Sequence, residues 1–130
     1  MNTPKLKGHT LSDEPQHHEH LQCAFQITVA PNHQVTISVH LDCESREHEI
    51  KAADLFLAQT SRDIVIDIIE THPLVPTADF NPNELSGEYT IPGDRFSAGE
   101  DDDHSFFVIV AGSLVTDAAP FVFHRRLELG

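Results

Sequence analysis

Apolar side chains fall on every second position over two stretches of the N-terminal third of the chain. Cys23, Phe25, Ile27 and Val29 alternate with Gln22, Ala24, Gln26 and Thr28. After Pro31-Asn32-His33 the alternation resumes, with Val35, Ile37, Val39, Leu41 and Cys43 set against Thr36, Ser38, His40 and Asp42. Successive side chains of a strand point to opposite faces, so a period of two on both sides of a turn predicts a hairpin with one apolar and one polar face. A loop made of Asn32, His33 and Gln34 sets the register: Val29 faces Ile37, Ile27 faces Val39, Phe25 faces Leu41 and Cys23 faces Cys43. A slip of one residue would carry one strand's apolar set to the wrong face.

The pattern is less regular further on. Within residues 50–70, Ala53, Leu55 and Leu57 alternate, and the β-branched run Ile64-Val65-Ile66-Asp67-Ile68-Ile69 follows Thr60-Ser61-Arg62-Asp63. A second hairpin is expected here, with a helix over 51–59 as the alternative, since Ala52, Leu55, Phe56 and Gln59 share one helical face. Residues 71–83 carry three prolines and predict a long connection. A short strand is expected over 88–91, an acidic loop over 94–104, a strongly apolar central strand over 104–111 (HSFFVIVA), and a last strand over 121–129. The fold class is therefore all-β, a two-sheet antiparallel sandwich of about seven strands over residues 21–130.

Residues 1–20, MNTPKLKGHTLSDEPQHHEH, follow no period and hold almost no apolar side chain. They are expected to form a polar arm, disordered on its own, that the core does not need. The chain of 130 residues suffices for one domain and is too short for two.

The strand pattern resembles an immunoglobulin-like or fibronectin-type-III-like sandwich. The two hairpins carry the resemblance, together with the passage Tyr89-Thr90-Ile91-Pro92, Phe96-Ser97-Ala98-Gly99 and Phe106-Phe107-Val108, which is similar to the corner where such domains cross between sheets. It covers residues 21–129 and departs in two respects. There is no tryptophan, and both cysteines lie in one hairpin rather than bridging two sheets. A resemblance of fold implies no activity.

Charge narrows the function. Eight basic residues against 21 acidic ones give a formal net charge of −13, which disfavours general nucleic-acid binding. No stretch has the length to span a bilayer as a helix, and no apolar run follows the first lysines as a secretory leader would require. The expected location is the cytoplasm or an assembled particle. Cys23 and Cys43 are read as reduced core residues, with a cross-strand disulfide as the alternative.

Few residues suggest chemistry. His17, His18 and His20, with Glu19 and His9, form a cluster able to hold Zn²⁺, Ni²⁺ or Cu²⁺, although an arm lacks the closed, supported geometry of a structural site. Asp101, Asp102 and Asp103, preceded by Glu100, offer oxygens of the kind Ca²⁺ takes, without EF-hand spacing; a solvated turn is the plainer interpretation. His40 is placed on a polar strand face. Arg125-Arg126 beside His124 is a basic doublet expected to pair within the molecule. No Gly-x-Ser-x-Gly elbow or Gly-rich phosphate loop occurs, and neither cysteine has basic neighbours in sequence, so an enzyme is not expected.

The expected function is a non-catalytic protein-interaction or assembly module. It suits a structural component of a larger particle, such as a phage or virus decoration protein, a filament subunit or an envelope assembly, with the arm ordering on a protein partner or on another subunit. The alternatives are a divalent-metal-binding protein and an acidic inhibitor that imitates nucleic acid.

Overall fold

The computed structural model describes residues 8, 11, 21–32, 34–43, 50–76, 84–96, 104–114 and 120–127. They form strands β1 (Leu21–Val29), β2 (Val35–Cys43), β3 (Ile50–Ser61), β4 (Ile64–Pro73), β5 (Val75–Pro76), β6 (Glu84–Ile91), β7 (His104–Leu114) and β8 (Pro120–Arg126), with one turn of 3-10 helix over Gly93–Phe96. The protein is all-β. Two antiparallel sheets result, in strand order β1-β2-β6-β5 and β4-β3-β7-β8; β5 is only two residues long.

The first hairpin keeps the expected faces but not the expected register. Val29 pairs with Val35, Ile27 with Ile37, Phe25 with Val39, Cys23 with Leu41 and Leu21 with Cys43. The shift is two residues, so every apolar residue stays on the inner face. Its cause lies at Pro31, which has no N–H to give to a closing pair. The ladder closes one residue earlier instead: Ala30 N–H donates to the Gln34 carbonyl at 2.8 Å. The Asn32 side chain accepts from Gln34 N–H at 3.1 Å, an Asx-type turn. Cys23 and Cys43 form no disulfide with each other, and Cys43 lies opposite Leu21 rather than Cys23.

Residues 50–61 are strand, not helix, and the second hairpin turns through Arg62 and Asp63. Both have positive φ, 51° and 66°, as a two-residue type I′ turn requires. The β4 ladder is displaced at two bulges, near Leu57/Ala58 and Gln59/Thr60. The chain changes sheets at Leu74: its N–H still bonds Ala53 of the second sheet at 3.0 Å, while Val75 pairs with Ser86 of the first. Of the connection expected over 71–83, residues 71–73 and 75–76 are thus strand. β6 begins at Glu84, four residues before the expected start at 88. β7 runs to Leu114, and β8 ends at Arg126 rather than 129.

The inner faces of the sheets meet in one core. Val35, Ile37, Val39, Leu41 and Ile91 of the first sheet and Leu55, Leu57, Phe106, Val108 and Val110 of the second belong to it. Burying each such side chain contributes about 1.5–3 kcal/mol. Gly112 marks a close approach of two strands. A Cβ there would lie 2.0 Å from the Ala52 carbonyl oxygen, a clash with backbone that no rotamer relieves.

Different contacts close the two long seams between the sheets. At the β1/β8 seam, Arg125 donates from Nη1 to the Phe25 carbonyl at 3.0 Å, and its guanidinium carbon lies 5.6 Å from the Phe25 ring centroid. At the β4/β6 seam the rings of His72 and Tyr89 stack with centroids 4.2 Å apart. The Tyr89 hydroxyl donates to the Pro73 carbonyl. Gly87 leaves the space this needs, since a Cβ there would sit 2.7 Å from the Tyr89 ring and 2.8 Å from Leu74 Cδ2.

Candidate functional site

The outer face of the second sheet is the feature that a free-standing sandwich does not require. Registers Phe56↔Ile109, Ala58↔Phe107 and Thr60↔Ser105 place these residues side by side on β3 and β7, pointing away from the core. Val65 and Ile68 of β4 and Val122 of β8 flank them. Phe56, Ala58, Val65, Phe107, Ile109 and Ala111 are nonetheless buried and form a second apolar cluster. An antiparallel sheet usually turns one face to water. This one does not.

Part of the cover comes from the N-terminal arm. Leu11 is 4% exposed and belongs to the second cluster with Phe56 and Phe107. Two backbone bonds hold the segment against β4 and the turn before it: Gly8 N–H donates to the Val65 carbonyl and Leu11 N–H to the Asp63 carbonyl, each at 2.7 Å. Because β4 is an edge strand, these bonds also occupy donor-seeking carbonyls that would otherwise offer an open edge. Gly8 takes φ of 88°, which its missing Cβ permits. The sequence pattern places the arm outside the core, whereas the structure brings Leu11 into an apolar cluster.

The rim of this face is polar on the β8 side. His124 stands edge-on to Phe107, with centroids 5.7 Å apart. Arg126 donates from Nη2 to Ser105 Oγ at 2.7 Å, and Thr60 Oγ1 donates to the Ser105 carbonyl at 3.2 Å. The doublet Arg125-Arg126 is held within the molecule by a carbonyl, a ring and a hydroxyl. Near the arm bonds, Ile64 and Ile66 remain 41% and 43% exposed.

A second polar group sits at the β4/β6 seam. His72 Nε2 lies 3.4 Å from Glu70 Oε1 beneath the stacked Tyr89 ring. Glu70 Oε2 is buried with no hydrogen-bond partner among the described residues. A carboxylate, an imidazole and a phenol are the materials of acid–base chemistry. Here the phenol is committed to a carbonyl and the imidazole to stacking, so the trio serves to close the seam. Sequence reasoning passes over it, because only the Glu70-x-His72 spacing hints that two of its members share a face.

Of the other residues singled out by sequence, His40 is exposed on the outer face of β2, as expected. His17, His18, His20, Asp101, Asp102 and Asp103 lie outside the described residues. Among the described residues no group of three or more His, Cys, Asp or Glu is placed to hold a metal ion. No helix of the described residues is long and apolar enough to cross a membrane. Burial pushes the Cys23 thiol up to about 12, an effect that nearby Arg125 partly opposes. At neutral pH this sulfur is a protonated core group, not a nucleophile. The chain matches no protein-family model, no curated protein and no solved structure.

Proposed function

We propose that this protein is a non-catalytic assembly module, an immunoglobulin-like or fibronectin-type-III-like sandwich that associates through the outer face of its second sheet. The carrying observation is the apolar cluster on that face, into which Leu11 of the arm is buried. An antiparallel sheet seldom carries a second apolar face, and this one takes part of its cover from a segment outside the sandwich, a contact that a neighbouring molecule can also supply. The orders β1-β2-β6 and β4-β3-β7-β8 support the sandwich type, since both follow the strand arrangement of fibronectin-type-III-like domains. A net charge of −13 keeps such a module soluble while it waits for its partner.

Sedimentation velocity on the full chain tests the reading, from micromolar to near-millimolar concentration. Mass that rises with concentration is the expected result. A strict monomer throughout the range would remove the proposal.

A further inference from the structure

Resting on that reading, we infer that the partner is a second copy of this chain and that the copies exchange N-terminal arms, each Leu11 seating on the outer face of the other's second sheet. The inference follows from where the two ends of the arm are held. Leu11 is bonded to Asp63, at the tip of the β3–β4 hairpin. Leu21 opens β1 opposite Cys43.

Those anchor points lie at opposite ends of the sandwich. Ala53, near the start of β3, bonds Leu74, and the adjacent Val75 pairs with Ser86, which faces His40 and, beyond it, Ala24. The Ala53 end of β3 is therefore level with the early part of β1. Asp63 is a full hairpin length away from it. The nine residues of β1 rise about 30 Å, a fair measure of that height. The anchors also sit on opposite sides: β8 faces β1 across one seam, and β4 is the far edge of the same sheet. A strand spacing of about 4.8 Å, taken three times, adds roughly 14 Å sideways.

From Leu11 to Leu21 the chain takes ten steps, and ten steps reach at most about 35 Å. The span between the two anchors is thus close to the most that ten steps can cover. A segment that can only just reach its own dock gains freedom by docking on a neighbour, where the same two backbone bonds and the same buried leucine are re-formed. Closure within one chain has an advantage only when its linker has slack, because effective concentration falls away as the span approaches the reach. No new contact is needed; the exchange re-uses the bonds of Gly8 and Leu11 to Val65 and Asp63.

The experiment lengthens the connection. A Gly-Ser insertion after Gln16 that doubles the Leu11–Leu21 spacing leaves every described residue unaltered and gives each arm the slack to close on its own domain. Light scattering would read the mass of the full chain, of this variant and of Leu11→Asp across the same concentrations. The expected result is a full chain of at least twice the monomer mass at high concentration, an extended variant shifted to monomer with its melting temperature kept, and association lost in Leu11→Asp. If Leu11→Asp fails to fold, the extended variant decides alone. Association that persists equally in the extended chain overturns arm exchange and leaves the assembly reading standing. A full chain that is monomeric at every concentration overturns both.

Discussion

Thr36, Ser38 and His40 on the first sheet and Phe56, Phe107 and Ile109 on the second occupy equivalent, outward-pointing positions, yet only the second set is buried. The inner faces of the two sheets are alike and meet in one core. The outer faces differ because the first is finished by water and the second has to be finished by protein. On the first sheet, Thr36 and Thr90 bring their hydroxyls within 3.5 Å of one another across neighbouring strands, and further polar positions continue along β1, β2 and β6. On the second, the cover includes a segment remote in sequence from the residues it covers. A third layer therefore begins on the second sheet, with Leu11 of the same chain.

The largest test of this contrast removes a ring. Phe107→Ala should lower the unfolding free energy by about 3–5 kcal/mol, as for a fully buried aromatic. Ser38→Ala, at an outward position of the first sheet, should change it by less than about 0.5 kcal/mol. Denaturant unfolding measures both, and similar small values would show that the second face is not a core. Leu11→Ala comes next, at about 2 kcal/mol, the lower end for a buried leucine because the arm can undock without unfolding the sheets. Hydrogen exchange should then show the Leu11 amide losing protection while the amides of β7 keep theirs.

A smaller change of opposite sign is expected at the hairpin tip that presents the Asp63 carbonyl. Arg62 and Asp63 hold left-handed conformations that cost side-chain-bearing residues about 1 kcal/mol. An Asn-Gly pair suits such a turn, so the double variant Arg62→Asn with Asp63→Gly should be more stable by about that amount in thermal melts. The smallest effect concerns the edge of the first sheet. The Cys23 thiol is raised in the folded state to about 12, so its contribution to stability is complete below the ordinary thiol range. That contribution is lost as pH climbs from there towards about 12. Cys23→Ala should flatten the alkaline slope of stability; an unchanged slope would mean that the β1/β8 seam is wet.

The alternation in β1 and β2 makes their faces legible, since Gln22, Gln26, Thr36 and Ser38 could not share a side with Phe25 and Ile37. Their register is not legible to the same degree. A period of two is unchanged by a shift of two, and only Pro31, which cannot donate to a closing pair, holds the missing information. In β3 and β7 the alternation fades because Phe56 and Leu57, or Phe107 and Val108, are both apolar. That loss of period is itself the sign of burial on both faces, and a central place in the sheet accounts for only part of it. The start of β6 is hidden by Glu84, Ser86 and Gly87, among which Leu85 is the single inward anchor. Leu11 leaves no trace of its role, because one apolar residue among polar ones has no period to display.

The order in which the chain emerges during synthesis gives the arm a particular history. Gly8 and Leu11 are made before β1, while their bonding partners Val65 and Asp63 and the side chains of Phe107 and Ile109 come later, the last two only with β7. Nearly the whole sandwich has to close its long-range pairings before that dock is complete, so a segment made ahead of β1 is among the last to be placed. Throughout this interval Leu11 has no complete dock and the outer face of the second sheet no complete cover. On the arm exchange proposed above, newly made chains emerging side by side on one message would meet when both surfaces are available, and the crowding of synthesis would help to decide whose arm lies on whose domain.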